Sequence, residues 1–355
     1  MQFKGMHHVT AVTGDTSTNV SFYVGVLGLR LVKKTVNQDD LGAYHLFYAD
    51  KLGTAGTEMT FFDWPHVKRR LHGPGTIRRT LLRIPAGADH VDWWENHLKE
   101  QKVDVTRGDF PGGREALLFS DPEDQQLALV ADGFTGDATP WGDGPVPAEH
   151  AIRGLLGAEI DSASPSHSIT FLEDYLSFPE DTALSTGDER RVFRVQSDVS
   201  VAEIHIVGGG ADGGGQERAA GHGTGRAAAG QHGAGHDGAG RAAAGQHAAE
   251  RHYGRVGIGG VHHIAFRVET PEEQEEWLSW LNSRGVPNSG LVDRHYFRSL
   301  YFREPGAILF EVATAGPGFL GDEDAEHLGE KLSLPPFLEP KREQIEAGLK
   351  PIPAV

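Results

Sequence analysis

No cysteine occurs among the 355 residues. That absence excludes disulfides, thiolate zinc sites, iron–sulfur clusters and cysteine nucleophiles together. Any metal must then be bound through His, Asp or Glu. Positive charge is scarce as well: 33 Lys and Arg stand against 50 Asp and Glu, a formal net charge of −17. Such a balance repels nucleic acid and anionic lipid, both of which need cationic neutralisation. Small molecules or other subunits are the expected partners, and a homo-oligomer is left open. An acidic, lysine-poor surface also suits high salt, where screening suppresses self-repulsion. Long apolar runs are missing too, none approaching the roughly 18 residues of a spanning helix. The segment MQFKGMHHVT lacks the basic-then-apolar layout of a signal peptide. The expectation is a cytoplasmic protein without membrane contact.

What is present is a pattern used four times: an opening strand, a helix, then short strands. The first unit (1–66) opens with MHHVTAV, offers capping residues at Asp15–Thr18, and places Phe22, Tyr23, Val26 and Leu27 at helical spacing with Gly28 to close the helix. The second (76–133) passes through an amphipathic stretch at Val91–Gln101 to a hairpin turning at Asp121–Asp124. The third (150–207) has LEDYLSF as its helix and RRVFRV and VAEIHIV as late strands. The fourth (258–315) is the clearest, with Pro271 and acidic residues starting its helix and Gly285 ending it. Between the third and fourth, 208–250 is a Gly/Ala/His-rich insert in which GRAAAGQH occurs twice. Such composition cannot bury enough apolar surface to offset its ordering entropy. The C-terminal 316–355 carries one short helix framed by prolines and is expected to pack on the last unit or on a neighbouring subunit.

Two HH pairs occupy equivalent places, in GMHHVTAV and GVHHIAFRV. Adjacent strand residues face opposite ways, so one His of each pair, His8 and His263, turns inward while His7 and His262 turn away. A single such pair is most often a half-buried structural histidine; its recurrence in opening strands points to a shared site. Glu311 in AILFEVAT is a carboxylate in an apolar strand, costly to bury unless it is paired with an arginine or binds a metal. Two histidines and one carboxylate from separate strands make the facial triad of non-haem Fe(II) enzymes.

This arrangement resembles the vicinal oxygen chelate superfamily, which includes glyoxalase I, bleomycin-resistance proteins and extradiol dioxygenases, and within it the branch that cleaves hydroquinone rings. The resemblance implies an α+β fold of four βαβββ modules paired into two open barrels. It implies that modules 1 and 4 build a metal site of His8, His263 and Glu311 for Fe(II), with Mn(II) as the alternative. It further implies catalytic roles for Arg294 and Tyr301, and places for His7, His262 and Thr10 around a small aromatic substrate that reacts with O2. A glyoxalase-like isomerase or lyase and a non-catalytic small-molecule binder are the alternatives. In the first module, TEMTFFDW is expected to put Phe61 where the fourth has Glu311, and the middle modules are expected to hold no His/Glu pair.

Overall fold

The structure is a computed structural model that describes residues 1–207 and 253–352. The insert assigned to 208–250 lies outside the described residues. The first repeat comprises β1 (Met6–Thr13), α1 (Thr16–Tyr23), β2 (Arg30–Asn37), β3 (Asp40–Ala49) and β4 (Glu58–Asp63). The second comprises β5 (Thr76–Ile84), α2 (Ala88–Glu100), β6 (Val105–Phe110), β7 (Arg114–Ser120) and β8 (Gln126–Ala131). The third is shorter, with β9 (Leu155–Asp161), α3 (Pro165–Thr170), β10 (Arg190–Gln196) and β11 (Val201–Val207). The fourth comprises β12 (Val261–Val268), α4 (Pro271–Ser283), β13 (Asn288–Asp293), β14 (Phe297–Arg303) and β15 (Leu309–Pro317), and α5 (Arg342–Gly348) follows.

In every repeat the opening strand lies parallel to the closing one, and the strands between run antiparallel. β1 pairs antiparallel with β12, and β5 with β9. Repeats 1 and 4 therefore curl into one open barrel and repeats 2 and 3 into another, joined where Val261 faces Ile77. Helices cover the outer faces. In α4, Trp277 and Leu281 face inward and Trp277 stacks on Phe3 at 4.1 Å between ring centroids. Burying a side chain of that size contributes roughly 1.5–3 kcal/mol.

Local sequence explains the helix ends, with three departures from expectation. Asp15 caps α1 by accepting from Ser17 and Thr18, as its position suggests. Yet α1 stops at Tyr23, because Val24-Gly25-Val26 is a poor helix former. Gly28 instead closes the turn beyond it, at φ +68°. In the third repeat the helix begins at Pro165, earlier than LEDYLSF, and continues as a π-helical turn over Phe171–Tyr175. The C-terminal segment packs on the last repeat, where Phe319 meets Tyr296 and Asp322 accepts from the Tyr296 hydroxyl, and unexpectedly on the first as well. Leu334, Leu338 and Ile345 cluster with Val36, Arg30 donates to the carbonyls of Ala325 and Glu326, and the buried Lys33 ammonium binds Asp322 and Glu323. β2 thus presents two cations that this segment helps to satisfy, Arg30 also donating to the Lys51 carbonyl.

Candidate metal centre

β1, β12 and β15 bring His8, His263 and Glu311 together at the centre of the first barrel. His8 Nε2 and His263 Nε2 are 3.1 Å apart, and Glu311 Oε2 lies 3.2 Å from the former and 3.0 Å from the latter. All three side chains are buried. Neither carboxylate oxygen of Glu311 has a hydrogen-bond partner among the described residues. A buried carboxylate with no donor is costly unless a cation binds it. Two imidazole nitrogens and one carboxylate oxygen are a donor set suited to a divalent transition metal with open positions.

Strand alternation alone sends His7 and His262 away from this centre, but the structure does otherwise. The β1–β12 register shifts between Met6 and Val9, and again where His262 lies opposite the step from Thr10 to Ala11. Both HH pairs therefore sit at bulges, which re-aim side chains. His7 Nδ1 lies 3.0 Å from His8 Nδ1, and His262 Nδ1 lies 2.8 Å from His263 Nδ1. His7 Nε2 is 3.0 Å from the carbonyl oxygen of Thr314. A carbonyl only accepts, so His7 carries its proton on Nε2 and must accept at Nδ1 from His8. His8 is left with a bare Nε2 facing Glu311, the arrangement in which an outer partner fixes a ligand's tautomer. Burial, reinforced by the neighbouring imidazole, drives the His7 and His262 pKa values down to about 3, so both remain neutral. Glu58 completes the surroundings, buried with Oε2 3.6 Å from His7 Nδ1.

Thr10 does not reach the centre. Its hydroxyl bonds that of Thr60 at 2.8 Å, and Thr60 in turn contacts His45 Nε2 at 3.1 Å. A small cavity of about 40 Å³ opens on His8 and His263. Arg294, Tyr301 and His45 give it polar groups, and Phe47, Phe62 and Phe297 give it aromatic walls. Tyr301 meets His263 edge-on at 5.6 Å, and burial raises its phenol pKa so that the proton stays on. Desolvation also lowers the His45 pKa well below normal, keeping that ring neutral. Sequence reading missed His45 and Glu58. The only available signal was a polar residue in an otherwise apolar strand, and the facing side chains emerge only once β3 and β4 are paired.

Register corrects two further expectations. β12 pairs Ala265 with Glu311, whereas β1 pairs Thr10 with Thr60. Thr60, not Phe61, is thus the counterpart of Glu311. The middle repeats do hold buried His and Glu: His205 Nε2 lies 3.0 Å from Glu203 Oε2. Arginines saturate the carboxylates there. Arg114 grips Glu203 with two contacts of 3.0 Å, and Glu159 lies 2.7 Å from Arg79 and 2.6 Å from Arg190.

Comparison with known proteins agrees with this architecture. The family model described as the Glyoxalase/Bleomycin resistance protein/Dioxygenase superfamily matches residues 5–129 and 162–312. A Bacillus subtilis (strain 168) protein provisionally named ring-cleaving dioxygenase MhqA is 37% identical, covering 99% of this chain and all of its own length. The chlorohydroquinone/hydroquinone 1,2-dioxygenase of Sphingobium indicum is 28% identical over 96% of this chain and 94% of its own. A crystal structure from Bacillus subtilis, provisionally described as a dioxygenase, superposes with a TM-score of 0.81 at 34% identity, covering 99% of this chain and 98% of that one. Maize glyoxalase I shares the fold at a TM-score of 0.54 and 13% identity, over 88% of this chain and 92% of its own. The repeats, their pairing and these matches agree: the chain belongs to the glyoxalase/bleomycin resistance protein/dioxygenase superfamily.

Proposed function

We propose that the protein is a ring-cleaving dioxygenase that uses a bound Fe(II), with Mn(II) as the alternative, to add O2 to a hydroquinone- or catechol-like ring. The observation that carries this reading is the bare, buried carboxylate of Glu311 between His8 and His263, opening on an aromatic-walled cavity. His8, His263 and Glu311 would hold the metal, which supplies electronic coupling between the ring and oxygen when bound. The chain's own groups do the rest. Phe47, Phe62 and Phe297 flank a flat ring and keep water from it. Arg294 neutralises a phenolate oxygen, and Tyr301, protonated across the working pH range, donates a hydrogen bond to it. His262, in contact with His263, would orient that ligand. Cleavage beside the hydroxyl-bearing carbon and a preference for hydroquinones follow the Sphingobium relative's name and belong to the same proposal.

Thr60 weighs against a glyoxalase-like isomerase, because a hydroxyl stands at the first-module counterpart of Glu311 where a second carboxylate ligand would be needed. The test is oxygen uptake by protein purified without air and loaded with iron, given hydroquinone and then catechol. Uptake that depends on the ring supports the proposal and ranks the substrates. Bound iron with no uptake on either ring rejects it.

A further inference from the structure

Arg294 is already engaged at the mouth of the cleft. Its Nη1 donates to Asp39 Oδ2 at 2.9 Å, and Gln38 Nε2 donates to the Arg294 carbonyl at 2.9 Å. Gln38 and Asp39 form the tip between β2 and β3 of the first repeat, whereas Arg294 follows β13 of the fourth. On its inner side the guanidinium lies 5.5 Å from the centroid of the Tyr301 ring. One side chain thus spans from the interior of the cleft to a hairpin of another repeat. The two ends differ in environment, since the Asp39 side chain is 74% exposed and that of Arg294 only 22%.

The cavity behind this contact is about 40 Å³. A cavity that admits benzene is closer to about 150 Å³. An aromatic ring therefore enters only if lining groups move, and Asp39, paired with the partly exposed Arg294, is the lining residue most open to solvent. The loop carrying Arg294 also holds His295 at φ +72°, a left-handed conformation uncommon for a non-glycine residue and typical of segments whose geometry serves a site.

We propose that Asp39, supported by Gln38, latches Arg294 across the mouth of the cleft, and that an incoming phenolate displaces Asp39 from the guanidinium. Asp39 is thereby a positioning residue that sets how readily the cleft accepts substrate. This rests on the reading of Arg294 as the phenolate's partner. The physical basis is a difference in solvation. An exposed ion pair is weak and screened by salt, whereas a phenolate held inside the cleft meets the same guanidinium with little water to compete.

The test is calorimetric binding of hydroquinone, without oxygen, to the iron-loaded full chain at about 0.05 M and about 0.5 M salt. Asp39→Asn is expected to tighten binding about twofold to fivefold at low salt. That advantage shrinks at high salt, where screening loosens the wild-type latch too. In an Arg294→Ala background, Asp39→Asn changes nothing. Unchanged or weaker binding in Asp39→Asn, or the same gain without Arg294, overturns the latch. Oxygen uptake separates this from the function itself. Wild-type protein that shows the binding pattern but consumes no oxygen sinks the dioxygenase reading and keeps the latch. Failure to bind either hydroquinone or catechol sinks both.

Discussion

The two barrels share a strand plan and treat a buried carboxylate in opposite ways. In the barrel of repeats 2 and 3, Glu203 and Glu159 are held by Arg114, Arg79 and Arg190, and Phe110 packs beneath two of those guanidiniums. In the barrel of repeats 1 and 4, Glu311 is equally buried, lies beside two imidazoles and has no hydrogen-bond donor among the described residues. Arginine always carries charge, so the first solution is complete within the chain. A neutral imidazole brings a lone pair instead, so the second calls for a cation from outside. One scaffold thus holds its buried carboxylates with arginines in one barrel and sets Glu311 between imidazoles in the other. The opening strands reflect this in part: β1 and β12 each carry HH, whereas β5 carries Arg78-Arg79 and β9 carries Glu159.

Cutting the carboxylate from each barrel should break the symmetry most sharply. Glu203→Ala leaves the half-buried Arg114 with Asp132 as its remaining carboxylate partner and the buried His205 without its contact to Glu203, and is expected to lower unfolding free energy by about 2–4 kcal/mol. Glu311→Ala in metal-free protein removes a group with no donor and should change stability by less than about 1 kcal/mol. Urea unfolding of both variants checks this, and equal losses would erase the distinction.

Acid should weaken the arginine-filled barrel. Burial opposes ionisation of Glu203, but His205 and Arg114 prevail and its pKa falls from 4.5 to about 2. Because the folded value is depressed, the stabilisation is full above the unfolded pKa and is lost as pH falls from about 4.5 toward 2. The difference of roughly 2.5 pH units corresponds to on the order of 3 kcal/mol. Unfolding measured at steps between pH 5 and pH 2.5 should show this loss, and Glu203→Gln should flatten it.

Next in size are the outer partners of the metal ligands. His7→Phe frees His8 from the chain of contacts ending at Thr314 and should weaken metal binding about 10–100-fold. His262→Phe should cost less, because among the described residues that ring has no hydrogen bond beyond the one to His263 and its packing on Phe62 and Trp64 would survive. Metal titration distinguishes the two. The smallest effect belongs to Thr10→Val, which breaks only the Thr10–Thr60 contact and should leave metal affinity within about threefold.

How far this contrast was legible in the sequence depends on whether neighbours along the chain or across the sheet decide it. The two HH pairs and Glu311 announce themselves locally, since each breaks an apolar pattern, and the four-repeat plan follows from strand and helix periodicity. The Arg79–Glu159–Arg190 set does not, because its members come from three strands and meet only through pairing register. The same holds for Thr60, found two residues beyond Glu58 and opposite Thr10, where one slip of register suggested Phe61. His7 and His262 were misdirected for a different reason. Bulges break the alternation on which facing was argued, and nothing local in MHHVTAV or VHHIAFRV marks a bulge. Docking of the C-terminal segment on β2 was likewise out of reach, since the buried Lys33 that demands it reads as an ordinary surface lysine.

The central claim is that Glu311, with His8 and His263, awaits a metal and that the Arg-filled barrel does not. Anaerobic Fe(II) titration of wild-type protein beside Glu311→Ala tests it most directly. One tightly bound iron per chain in the wild type and none in the variant is the expected result. Iron retained by Glu311→Ala, or no tight site in the wild type, would contradict it.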